Sequence, residues 1–91
     1  NQSAVAAELL RVCKAGGKIG MANWSPNGFI GQVFKTIGKH VAPPAGLNSP
    51  ALWGTGAFID SHFAEGSSNI EIITRHFNFR YLSPGHFMDI F

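Results

Sequence analysis

Between Ser3 and Cys13 apolar side chains recur at Val5, Leu9 and Val12, flanked by Ala6, Leu10 and Cys13, which predicts a helix with one broad apolar face. Lys14-Ala15-Gly16-Gly17 ends it, because glycine adopts the left-handed backbone that a helix terminus commonly needs. Lys18 to Asn23 is short, carries no charge after its first residue, and predicts a buried strand. Ser25-Pro26 reads as a helix start, and Phe29, Ile30, Val33, Phe34 and Ile37 form an apolar stripe at helical spacing as far as about Lys39. Ala42-Pro43-Pro44-Ala45-Gly46 cannot continue a helix and reads as a stiff connection. Ser49-Pro50 opens a turn, and Thr55 caps a further helix from Gly56 to about Phe63. After a turn at Glu65 to Asn69, Ile70, Ile72 and Thr74 alternate with Glu71, Ile73 and Arg75, and polar residues then alternate with aromatic ones to Tyr81. That pattern predicts a long half-buried strand. Ser83-Pro84 starts a last helix through Phe87, Ile90 and Phe91.

The predicted order is helix, strand, helix, helix, strand, helix, the alternation of an α/β protein. Two strands do not make a stable sheet in water by themselves, so the expectation is a sheet completed by self-association through open strand edges.

Composition narrows the picture. With 91 residues, one domain at most is available, and 13% charged residues is about half the usual share. The net charge of +2, spread along the chain, gives no basic patch for nucleic acid. No apolar run reaches the ~18–20 residues that span a bilayer, and no leader pattern stands at the start. The single Cys13 makes neither an internal disulfide nor a thiolate metal cluster, which fits a reducing, cytoplasmic setting; on its apolar helix face it reads as an inert buried thiol. Asn1 at one end and the apolar run Phe87 to Phe91 at the other read as a piece of something longer.

The chemistry-bearing residues are dispersed. His40, His62, His76 and His86 lie 22, 14 and 10 apart, without the spacing of a metal site. No pair of the five carboxylates is spaced for acid/base work, and no catalytic triad is legible. Lys18 after Gly17 lacks the spacer and hydroxyl of a phosphate loop.

Glu8-Leu9-Leu10-Arg11-Val12-Cys13-Lys14-Ala15-Gly16-Gly17-Lys18-Ile19 resembles the helix, turn and fifth strand of class I S-adenosylmethionine-dependent methyltransferases related to those of quinone biosynthesis. Ala15 stands where that family has proline. Met21 to Pro26, Gly28 to Gly31, Ser49 to Thr55, Arg75 to Tyr81 and Ser83-Pro84 are similar to the segments that follow, so the resemblance covers nearly the whole chain. It implies an incomplete Rossmann-like sheet, a single partial domain over 1–91, and a missing N-terminal cofactor-binding half. The glycine-rich loop and ribose-binding acid are absent, and so is a strand that in the family inserts between the fifth and the sixth. The resemblance therefore implies a fragment that is inactive alone and does not itself bind the S-adenosylmethionine of its parent enzyme.

Ligands of such folds sit at the C-terminal ends of the strands. Position then implies Asn23, Trp24 and Ser25 at the edge of an acceptor-substrate site, with Phe29, Phe34 and Trp53 as its apolar lining. The helix carrying Phe34 reads as core, as a lid with Gly28, Gly31 and Gly38 for mobility, or as an interface. Two readings from other classes stand beside the methyltransferase. One is a small homodimeric interaction domain without ligand. The other is a weak single-stranded nucleic-acid binder using Phe77, Phe79 and Tyr81 on the strand 75–81, beside Arg75 and Arg80.

Overall fold

The computed structural model describes all 91 residues, Asn1–Phe91. Helix α1 spans Gln2–Val12, α2 Phe29–His40, α3 Gly56–Phe63 and α4 Pro84–Ile90, with a 3-10 turn at Pro50–Gly54 before α3. There is no strand, so the fold is helical and the expected α/β, Rossmann-like sheet is corrected. The segments 18–25 and 69–82 run without regular structure. The physical reason is the absence of a partner. A strand exists only through hydrogen bonds to a neighbour, and none of the backbone bonds outside the helices joins these two segments.

Where structure depends on nearby residues, sequence and fold agree. Thr55 Oγ1 accepts the Phe58 N–H (3.3 Å) and Ser83 Oγ accepts the His86 N–H (3.0 Å), the two expected caps. Gly16 takes φ +76° in the turn after α1, and the Gly17 N–H closes that turn on the Lys14 carbonyl at 2.8 Å. Helix α2 departs from expectation. It starts at Phe29 with Gly28 as N-cap, while Ser25 Oγ instead accepts the Gly28 N–H in a preceding turn (3.1 Å).

The core lies where α1 crosses α3. Ala6, Ile59 and Phe63 are buried there, with Leu9, Leu10, Ile19, Trp53, Phe58 and Ile70 packed against them. The face of α1 that packs is narrower than its pattern implies, since Val5 and Val12 are more than half exposed. Cys13 is half-buried. Gly31 is buried for a steric reason, since a Cβ there would stand 2.3 Å from the Pro26 carbonyl oxygen. It is a packing contact of α2, which suits the core reading of that helix better than the lid reading.

The accessible surface is 7597 Å², against about 5,200 Å² for a self-contained domain of 9.8 kDa. The radius of gyration, 16.0 Å, likewise exceeds the roughly 12 Å of a compact chain of this length. Much of the excess is apolar: Phe77, Leu82 and Met88 are 74%, 92% and 71% exposed.

Candidate functional site

The rings gather in two aromatic groups. In one, the Phe79 ring lies 5.3 Å from Trp24 and 5.7 Å from Phe29 between ring centroids, and Phe29 meets Phe87 edge-on at 5.5 Å. These contacts tie the first turn of α2, the segment around Phe79 and α4 together. In the other, Trp53 tilts against Phe58 at 5.0 Å and Phe63 at 6.2 Å, which fixes the 3-10 turn on α3. Such offset and edge contacts are the favoured aromatic geometries and hold rings in place better than burial alone.

A cavity of about 600 Å³ is lined by Trp24, Phe29 and Phe79 from the first group and by Trp53 from the second, together with Thr55. Its size suits a small organic ligand. Asn23 and Ser25 also line it, so five of the six residues expected at an acceptor site surround one space. Trp24 and Trp53 share it although 29 positions separate them in sequence. Phe34 is the exception. It is half-buried on α2 and does not line the cavity, because only the first turn of that helix reaches it.

Gly54, Ile72 and Arg75 are among the contributors outside the expected set. Gly54 allows the walls to close, since its Cα faces the Trp24 backbone where no Cβ fits. Ile72 lines the cavity from the extended segment, and Arg75 stands farther along it. The alternation of 70–75 marks one face of that segment but cannot say what it faces.

The cavity has a simple charge pattern. Arg75 is its single formally charged lining residue, with His76 beside it and no Asp or Glu. The one ion pair of the chain, Glu8 with Arg11 on α1, lies elsewhere, so the Arg75 guanidinium has no carboxylate partner. No Asp or Glu lines the cavity to meet the ribose hydroxyls or the sulfonium of S-adenosylmethionine. A second space of about 590 Å³ lies between Lys18–Met21 and Asn69–Glu71. It holds Lys14, Lys18 and Glu71 around the Gly16-Gly17 turn, which leads into extended chain with no helix N-terminus to meet an anion.

No group of three His, Cys, Asp or Glu side chains gathers where a metal ion could be held. His62 is engaged locally. Its Nδ1 lies 2.9 Å from the Phe58 carbonyl, its Nε2 3.2 Å from Ser3 Oγ, and its ring stacks on Phe58 at 4.1 Å. Of the aromatics expected on strand 75–81, Phe79 packs on Trp24 and Phe29 and Tyr81 on Phe87, while Phe77 meets Phe79 edge-on. They share no open face of a strand, since no strand forms. No helix is long and apolar enough to cross a membrane.

The chain is similar to mycobacterial proteins whose names state no function. Uncharacterized proteins of Mycobacterium tuberculosis and Mycobacterium bovis are 39% identical over 66 residues, 71% of this chain and 24% of theirs. A second uncharacterized Mycobacterium tuberculosis protein is 35% identical over 72 residues, 78% of this chain and 26% of its own length. The chain thus spans about a quarter of the length of the curated relatives it matches. No family model matches it, and no solved structure does.

Proposed function

We propose that this chain supplies part of the acceptor-substrate wall of a longer S-adenosylmethionine-dependent methyltransferase and is inactive alone. The observation that carries this reading is the meeting of Asn23, Trp24, Ser25, Phe29 and Trp53 around one cavity of about 600 Å³. Aromatic walls with a few polar groups at the edge suit a planar, largely apolar acceptor, held by ring contacts and oriented by the Asn23 amide. Cofactor binding belongs to the rest of the longer protein, in keeping with a cavity that lacks any carboxylate for a ribose. The excess of exposed apolar surface supports the same reading, since a wall of a larger site needs cover that 91 residues do not supply. The single half-buried Cys13 suits a cytoplasmic enzyme.

Calorimetric titration of the chain tests this. The expected result is heat with 2-naphthylmethanol, an apolar planar probe, and none with S-adenosylhomocysteine. Micromolar binding of S-adenosylhomocysteine, or no binding of the naphthyl probe, contradicts it.

A further inference from the structure

The aromatic cavity is electrically one-sided. Its lining holds seven polar or charged side chains from three parts of the chain, yet Arg75 is the one formal charge and no acid accompanies it. Among those polar groups, the Asn23 and Asn27 amides and the Arg75 guanidinium make no hydrogen bond to any protein acceptor, whereas Arg11 on α1 is doubly bonded to Glu8. These three residues present unused N–H donors around rings that offer no acceptor of their own. A planar fork of donors beside an apolar surface matches a carboxylate attached to an aromatic ring: the ring lies on Trp24, Phe79 and Trp53, and its two oxygens receive the guanidinium. A cationic ligand would meet Arg75 unscreened by any nearby carboxylate, and a neutral one would leave that charge to water.

We infer that the ligand of this cavity is an aromatic carboxylate, with Arg75 as the group that selects its charge. This rests on the reading of the cavity as an acceptor site and adds the chemical class of what it accepts. Arg75 acts here as a binding residue: it touches the ligand's charged edge, while the rings hold its apolar body. Its surface position keeps the pair partly solvated, so its effect is a preference between ligands of the same shape and not an absolute requirement.

The test is a pair of tryptophan-fluorescence titrations of the 91-residue chain with 2-naphthoate and with 2-naphthylmethanol, which share a ring system and differ in charge. The expected result is that 2-naphthoate binds about tenfold more tightly, as a charge-assisted hydrogen bond provides. In Arg75→Gln that preference should disappear while 2-naphthylmethanol binds as before, and in Arg75→Lys part of it should return. The preference should also shrink as salt is raised. Equal binding of the two probes to the unmodified chain, or a preference that survives Arg75→Gln, overturns the assignment of charge and leaves the aromatic cavity standing. Binding of neither probe overturns both.

Discussion

The carbonyl oxygen of Trp24 occupies the space that a side chain on Gly54 would need: a Cβ built there stands 2.1 Å from it, and 2.8 Å from the Ser25 Cα. This contact sets how closely the two cavity walls approach, because Trp24 leads one and Trp53 precedes Gly54 on the other. Both clashing atoms are backbone, so relief requires the chain itself to move. Gly54→Ala is expected to cost about 1–3 kcal/mol in urea unfolding and to change the tryptophan emission. Gly38 in α2, with nothing within 4 Å of a built Cβ, is the matched control. There alanine should stabilise by about 0.5–1 kcal/mol through helix propensity.

Phe63 is 3% exposed and joins Ile59 and Ala6 where α3 meets α1. Its replacement by alanine removes the largest member of a small core, and such truncations cost about 3–5 kcal/mol. A chain with so few buried residues has little reserve. Phe63→Ala should therefore abolish the cooperative transition in thermal circular dichroism, whereas Phe77→Ala, at a position 74% exposed, should leave the transition temperature within a few degrees.

Helix α1 carries a pH signature. The Arg11 guanidinium bonds the Glu8 carboxylate, with Nε donating at 2.8 Å, and holds its pKa below the ordinary carboxylate range. A carboxylate depressed in the folded state stabilises above its unfolded pKa and loses that contribution as the pH falls through the folded value. Helicity of α1 should decline from about pH 5 downward, modestly because the pair is fully solvent-exposed. In Glu8→Gln that step should vanish from the titration followed by circular dichroism. Raising the salt should shrink it in the parent chain.

Exposed apolar side chains on the segment 72–82 and on α4 should drive the isolated chain to self-associate. Sedimentation velocity at tens of micromolar should give a dimer or larger species for the parent chain, and a smaller one for Leu82→Ser, which alters a residue 92% exposed. A clean monomer for the parent chain would contradict this.

What the sequence made legible was local. Thr55 and Ser83 announce their helices because a cap is a bond between residues three apart, and α3 begins and ends where its pattern predicts. The segments 18–23 and 70–81 carry an equally clear pattern and yet form no strand. Alternation records that one face is apolar, but a strand also needs a backbone beside it, and neither segment bonds the other. Helix α2 shows a smaller form of the same limit: Ser25-Pro26 has the composition of a helix start, but the chain first makes a turn, with Ser25 capping Gly28.

At the cavity, neither spacing nor periodicity could bring Trp24 to Trp53. Their expected association came through the family resemblance, and the fold places them around one space through the Gly54 contact. Phe34 shares its stripe with Phe29 but lies beyond the one turn of α2 that reaches the cavity. Arg75 was legible as a charge on an alternating segment, and only the fold shows that it stands without a carboxylate at the aromatic cavity.

If the walls around Trp24 and Trp53 form one ligand-accepting cavity, two-dimensional proton–nitrogen NMR of the chain during titration with 2-naphthylmethanol reads it out at both walls at once. The expected shifts are in the indole N–H groups of Trp24 and Trp53 and the backbone amides of Gly54, Thr55 and Phe79, with Glu8, Arg11 and Lys39 unmoved. Shifts confined to Cys13, Gly16 and Ser67 around the second space, or movement of one indole without the other, would contradict it.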